Sequence, residues 1–303
     1  MDFLPDGVRL AVSPLSWTND VLEDLGGTTP VETCLTQASE AGYQGVELGR
    51  LFPREAAVLK PLLDAPGLAL ASGWYSGELA VRDLTEERRA VKPHAALLAA
   101  MGCEVMVYGE VAMMAGAAPL DAPMSQRLTM ADSSAYAARL GEFAAWLLGE
   151  YGLRLAYHHH LMMVAETLPE IAAIFDAAGP ELGLLLDTGH AAAAGFDYAA
   201  LIERFGGRIA HIHLKDIRPE IMQRVRAEDA SFNAGVRAGM FTVPGDGALD
   251  FAPIARFVRD SGYRGWLVVE AEQDPANAPP RPAVRRAMRH VETTFRQITG
   301  ESS

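Results

Sequence analysis

Lysine is nearly missing from this chain of 303 residues: it occurs only at Lys60, Lys92 and Lys215, and arginine supplies almost all the positive charge. Even so, 26 basic residues face 39 acidic ones, a formal net charge of −13 with a pI near 5.1. Such a surface repels phosphate backbones and anionic lipid unless basic residues cluster, and the sequence has no basic run. Neither nucleic acid nor a membrane is expected as a partner. Cysteine is equally scarce. Cys34 and Cys103 lie far apart and form no CxxC, which speaks against a disulfide framework and a thiolate zinc site. No stretch approaches the roughly 18 uncharged apolar residues of a membrane span, and the first residues lack the basic start and apolar run of a secretory signal. A cytoplasmic protein is expected. No GxGxxG follows the first predicted strand, so a dinucleotide fold has no support and no nucleotide cofactor is expected.

What the chain does have is a regular alternation of short β-rich runs with longer helical patterns, the mark of repeated βα units around a parallel sheet. The spacing predicts strands at Val8–Ser13, Gly45–Gly49, Leu68–Ser72, Glu104–Tyr108, Leu153–His158, Leu182–Asp187, Ile209–His213 and Trp266–Glu270. Helical stretches between them include Thr29–Ala41, Thr85–Met101, Asp132–Tyr151, Leu168–Ala178, Tyr198–Phe205 and Pro282–Gln297. Helix-stopping glycines precede several strands: Gly42, Gly102, Gly152, Gly206 and Gly262. Eight right-handed crossovers favour closure into an α/β fold of the (β/α)8 TIM-barrel type over an open sheet. One domain spanning 1–303 is expected, since such a barrel commonly runs to about 250 residues before insertions. Two connections exceed ordinary loop length, at about 113–130 and 216–250, and long loops on this fold usually build the site.

Six of the eight histidines, namely His158, His159, His160, His190, His211 and His213, fall at or just beyond the ends of the fifth, sixth and seventh predicted strands. In a β/α barrel those ends converge on one mouth, so side chains distant in sequence meet there. Asp187 closes the apolar run GLLLD and Glu270 closes WLVVE; a buried carboxylate requires a partner, and a divalent cation is an adequate one. One ligand from each of the last four strands gives the metal set His158, Asp187, His213 and Glu270. Mixed imidazole and carboxylate donors suit Mn²⁺ or Co²⁺, with Zn²⁺ or Fe²⁺ as alternatives, better than Ca²⁺ or Mg²⁺. Alternation puts His211 and His213 on one face, and His213 is the nearer to the mouth.

Other residues carry two open readings each. His190 either contacts substrate or is structural. Lys215 either binds a hydroxyl, stabilises an enolate or moves a proton, or it forms a salt bridge to Asp216 or Glu272. Glu47 is either a base or a rim ion-pair partner. Trp17, Asn19 and Trp74 either wall a sugar-like ring or pack the rim.

The chain resembles the xylose-isomerase-like barrel superfamily and, within it, the inosose dehydratases of inositol catabolism. The resemblance rests on Trp17–Asp20 (WTND), Gly45–Leu48 (GVEL), Ser72–Trp74 (SGW), Tyr157–His160 (YHHH) and Leu186–His190 (LDTGH). The more specific matches are His211–Arg218 (HIHLKDIR), Phe241–Gly247 (FTVPGDG) and Val268–Pro275 (VVEAEQDP). It implies a metal held by His158, Asp187, His213 and Glu270, with His190 contacting substrate. It also implies a substrate site including His160, Lys215, Arg218 and Glu272, beside Trp17, Asn19 and Trp74. The implied reaction is dehydration of 2-keto-myo-inositol, or a related polyhydroxylated ketone, through an enediolate, with Glu270, His190, Lys215 and Glu47 as candidates for moving protons. The dehydratases continue the triple histidine with Met-Gly-Thr, whereas Leu161-Met162-Met163 stands here, beside the site. Rival readings are a ketose 3-epimerase or sugar isomerase, an abasic-site endonuclease, which the net charge opposes, and a non-catalytic binding protein. A homo-oligomer, dimer or tetramer, is expected from the same resemblance.

Overall fold

The computed structural model describes residues 1–114, 116 and 118–300. Its strands are β1 (Val8–Val12), β2 (Gly45–Leu48), β3 (Ala69–Gly77), β4 (Val105–Glu110), β5 (Arg154–His158), β6 (Gly183–Asp187), β7 (Ile209–Leu214), β8 (Asp216–Ile217), β9 (Phe241–Thr242) and β10 (Gly265–Val269). Eight of them close a barrel in the order β1-β10-β7-β6-β5-β4-β3-β2, and β8 and β9 form a separate antiparallel pair. All neighbouring barrel strands are parallel. The eight predicted strands are the eight barrel strands, with ends differing by a residue or two except at β3, which runs on to Gly77.

The helices are α1 (Val31–Glu40), α2 (Ala56–Asp64), α3 (Leu84–Ala100), α4 (Ser134–Tyr151), α5 (Leu168–Ala177), α6 (Thr188–Ala193), α7 (Ala199–Phe205), α8 (Pro219–Ala227), α9 (Phe232–Ala238), α10 (Ala252–Asp260) and α11 (Pro280–Thr299). Local chemistry explains their starts. Asp83 caps α3 by accepting from the Glu86 amide, and Thr167 with Glu170 forms a reciprocal capping box on α5. Gly42, Gly102, Gly152 and Gly262 take the left-handed backbone that ends a helix, but Gly206 has φ −49° and leads into a 3-10 turn instead. None of these helices is long and apolar enough to cross a membrane, among the described residues.

The connection expected as a loop at 216–250 holds α8, α9 and the β8–β9 pair. The sequence FNAGVRA of α9 reads as a loop because of its central glycine; capping by Ser231 and burial of Phe232 and Val236 make it helical. Among its described residues, the 113–130 connection contains two 3-10 turns, Pro119–Asp121 and Met124–Gln126. The two connections meet: Pro123 pairs with Ser231, and Asp229 accepts from both the amide and hydroxyl of Ser125.

Alternation along each strand sorts its side chains. Leu10, Val12, Leu155, Tyr157, Leu184, Leu186 and Ile212 join the large core shared with the helices. The intervening positions, including Ala11, Ala156, Leu185 and Val268, pack inside the barrel, and a register irregularity between β6 and β7 brings Ala210 there as well. Position parity therefore turns His158, Asp187, His213 and Glu270 inward as well. Below them the barrel is plugged by Trp266, which packs with Ala11, Ala71 and Val268. A Cβ at Gly45 would come within 2.6 Å of its ring, and the Arg9 guanidinium lies 4.1 Å from the ring centroid. Trp266→Ala should leave a cavity its small neighbours cannot fill, lowering stability by roughly 3–5 kcal/mol in chemical denaturation. A loss below about 1 kcal/mol would show that the barrel floor does not depend on it.

Candidate active site

The register of the barrel aligns Asp187 of β6 with His213 of β7, and His213 with Val268 of β10. Glu270 follows β10 directly and His158 ends β5. These four inward residues meet. His158 Nε2 is 3.4 Å and His213 Nδ1 3.6 Å from Asp187 Oδ2, and Glu270 Oε2 is 2.6 Å from His213 Nδ1. The donor atoms of His158, Asp187 and His213 lie within 4.8 Å of one another, close enough to hold one ion.

The protonation pattern suits that role. Glu47 Oε1 accepts from Ser72 Oγ, from His211 Nε2 at 3.0 Å and from His213 Nε2 at 3.1 Å. His213 Nδ1 faces Asp187 and Glu270: burial would lower the ring's pKa, but Glu270 and Glu47 raise it well above the ordinary histidine value. A cation bound there would take the place of the Nδ1 proton, with Glu47 behind Nε2 orienting the ring as a carboxylate behind a metal-binding histidine does. Asp187 Oδ2 is buried without a hydrogen-bond partner among the described residues. Charge points the same way. Of four buried carboxylates, Asp187, Glu270 and Glu272 surround one buried lysine and Glu47 stands behind His213, and unmatched buried negative charge is costly. The residues thus fit a divalent cation. His159 turns the other way, its Nε2 accepting from the Asp187 amide.

Lys215 lies just past β7 and is fully buried. Its Nζ is 2.6 Å from Glu270 Oε1, 3.1 Å from Glu272 Oε2, 3.7 Å from Asp187 Oδ2 and 2.9 Å from His190 Nε2. Burial alone would lower its pKa, but Asp187, Glu270 and Glu272 together raise it above the ordinary lysine value. The ammonium group therefore already supplies the cation for the second trio of donors, His160, His190 and Glu272. Burial raises the Glu272 carboxyl to about 7, against the attraction of Lys215 and with the repulsion of Glu270. Glu270 goes the other way: His213 and Lys215 outweigh its burial and hold it near 2. His160 and His190 are both kept well below the usual histidine value, first by burial, then by neighbouring histidines and Lys215.

Above this floor lies a cavity of about 430 Å³, a size suited to a small ligand. Its wall includes Asn19, Glu47, Trp74, His158, His160, His213, Glu270 and Glu272. Asp187, His190 and Lys215 sit behind these residues. Two expected substrate residues are elsewhere. Trp17 is buried in the large core, its indole donating to Gln37 Oε1, because its ring turns toward α1. Arg218 is engaged within its own connection by Gly239 O, Thr242 Oγ1 and Asp246 Oδ2. His211 turns inward with His213, as its parity implies, but the sequence reading missed that it and Ser72 share Glu47 with His213, and it missed the roof: Met114, Leu120, Asp121 and Asn233 line the cavity from the two long connections. Long connections were the only signal for the roof; nothing in their sequence says which residues face inward.

The segment that departs from the dehydratase pattern has a definite backbone cost. Met162 stands at φ +70°, the left-handed region that favours glycine. Its side chain is buried with Leu161, Phe232 and Met240, so packing offsets the strain, while Met163 lines the cavity. Glu166 accepts from the Met162 amide at 2.7 Å, and Arg127 Nη1 donates to Met163 O at 3.0 Å. Replacing Met162 by alanine should lose the packing and keep the strain, whereas glycine loses the packing alone. The Gly variant should therefore be more stable than the Ala variant by about 1 kcal/mol in denaturant titration. An Ala variant at least as stable would remove the strain argument.

Comparison with known proteins agrees with this architecture. Residues 35–294 match the family described as xylose isomerase-like TIM barrel. The chain is 43% identical over 275 residues to the rhizopine catabolism protein MocC of Rhizobium meliloti, covering 90% of this chain and 84% of that protein. It is 36% identical over 299 residues to the inosose dehydratase of Geobacillus thermodenitrificans, covering 96% of this chain and 99% of that enzyme. Among solved structures it is similar in fold to the IOLI protein described with a binding zinc atom, with TM-score 0.64, 16% identity and coverage of 96% and 99% of the two chains. The chain belongs to the xylose isomerase-like TIM barrel family and, within it, to the inosose dehydratases.

Proposed function

We propose that the protein is a metal-dependent hydro-lyase that removes water from 2-keto-myo-inositol, or from a closely related polyhydroxylated ketone, to give a trihydroxycyclohexane-1,2-dione. The observation that carries the reading is the convergence of His158, Asp187, His213 and Glu270 beneath a small cavity, in a chain homologous to inosose dehydratases over nearly its whole length. Those four residues would hold the ion, and two imidazoles with two carboxylates suit Mn²⁺ or Co²⁺. When bound, it supplies a Lewis acid for the ketone oxygen and its neighbouring hydroxyl, which acidifies the C–H bond between them.

The chain's own groups then handle two protons. His160 Nδ1 donates to Leu161 O at 2.6 Å, so Nε2 carries the lone pair, and burial keeps the ring neutral. It lines the cavity and is placed to take the C–H proton. Glu272, also on the wall and protonated near neutrality, can give a proton to the departing β-hydroxyl, which leaves as water. Lys215, in contact with both Glu272 and His190, keeps its own proton and holds the acid in place. Glu270 and Glu47 serve this scheme through the ion and through His213, not as bases.

Protein stripped by a chelator should be inactive on 2-keto-myo-inositol, and Mn²⁺ or Co²⁺ should restore a product one water lighter with the absorbance of a dione. An epimerised ketose of unchanged mass would overturn the dehydratase reading, and turnover that survives stripping would overturn the metal. Glu47→Gln removes the charged acceptor behind His213 and should weaken metal affinity roughly 10- to 100-fold in chelator competition. Unchanged affinity would mean that His213 is not a ligand.

A further inference from the structure

The roof over the cavity carries a polar group that neither the fold nor the proposed chemistry uses. Asn233, on α9, forms part of the cavity wall and is 6% exposed. Its Nδ2 donates to Asp121 Oδ1 at 2.8 Å, while its Oδ1 is buried and has no hydrogen-bond partner among the described residues. The amide orientation is dictated, because a carboxylate offers only lone pairs and so selects the NH₂ end of the amide. The carbonyl end is left over. A buried carbonyl without a donor is a standing cost unless something supplies one, and here the neighbouring space is the substrate cavity.

Two further features hold this group in place. Asp121 comes from the connection after β4 and Asn233 from the connection after β7, and these are clamped together by the Ser125–Asp229 bonds. Phe232, the adjacent residue, packs its ring 5.1 Å from that of His160 and 6.2 Å, nearly parallel, from that of His190. The roof is thereby fixed at a set height above the ionisable floor.

We infer that Asn233, oriented by Asp121, is a specificity determinant: its Oδ1 accepts a hydrogen bond from a ring hydroxyl of the bound polyol, on the side remote from the metal ligands. An acceptor at that point favours a donor and disfavours a deoxy position or an ether oxygen. The contact is made equally before and during reaction, so it acts on binding and on which ring carbon is presented to the floor. The inference rests on the polyol-ketone reading above.

The test uses metal-loaded wild type, Asn233→Ala and Asp121→Asn, with 2-keto-myo-inositol and its monodeoxy analogues, and calorimetric binding of myo-inositol. Asn233→Ala should raise KM roughly tenfold with kcat nearly unchanged, and weaken myo-inositol binding by a similar factor. Asp121→Asn, which frees the amide to turn over, should give a smaller shift in the same direction. For one monodeoxy analogue, the one lacking the partner hydroxyl, wild type and Asn233→Ala should be equal. Unchanged KM and binding in the variant, or the same loss with every analogue, would overturn the inference. Wild type that fails to dehydrate the parent ketone would instead overturn the function itself, so the two failures are separable.

Discussion

Buried charge that the protein alone does not balance organises this molecule. Glu47, Asp187, Glu270 and Glu272 are all out of water at one end of the barrel, and the one lysine among them touches three of these carboxylates. With Glu272 pushed toward its neutral form, the Lys215 ammonium still faces the ionised Asp187, Glu270 and Glu47, and a divalent ion in place of the His213 proton is a natural complement to that charge. The same imbalance separates the acids chemically. Glu270, next to His213 and Lys215, stays ionised, while Glu272, two residues on, is pushed to about 7 by burial and by Glu270 itself. Environments that drive neighbouring carboxylates apart divide the work of holding a cation from that of moving a proton.

The barrel makes this arrangement affordable in steric terms because strand parity sends every second side chain inward, and the parallel register brings Asp187 alongside His213. Below the polar layer the interior closes on Trp266 and small residues, so the charged groups rest on a packed floor. Above it, the two long connections contribute methionine, leucine, one asparagine and one aspartate to a roof that covers part of the cavity. Low dielectric strengthens each electrostatic interaction beneath that roof.

Much of the fold was legible in the chain. The eight barrel strands coincide with eight apolar β-rich runs, and the glycines at 42, 102, 152 and 262 do end helices in the left-handed region. The elements that escaped are those whose local signal is weak. α2 carries Pro61 within it, and α9 carries a glycine at its centre; each is stabilised by tertiary burial that local propensity does not report. Trp17 misled for a related reason: a tryptophan after a strand can face the mouth or the helices, and here the amide of Gln37 on α1 settles it.

By itself the sequence determined the period-two strands, their order and the chemistry at their ends, because parity and polarity are properties of consecutive residues. It thereby also determined that His158, Asp187, His213 and Glu270 turn to one side. Only the tertiary structure decided what lies behind and above them: that Ser72 and His211 share Glu47 with His213, that Lys215 bridges Glu270 to Glu272, and that Asp121 meets Asn233 across two connections. Those pairs are up to 166 residues apart. No local rule fixes the distance between such residues; closing the barrel and docking its loops does.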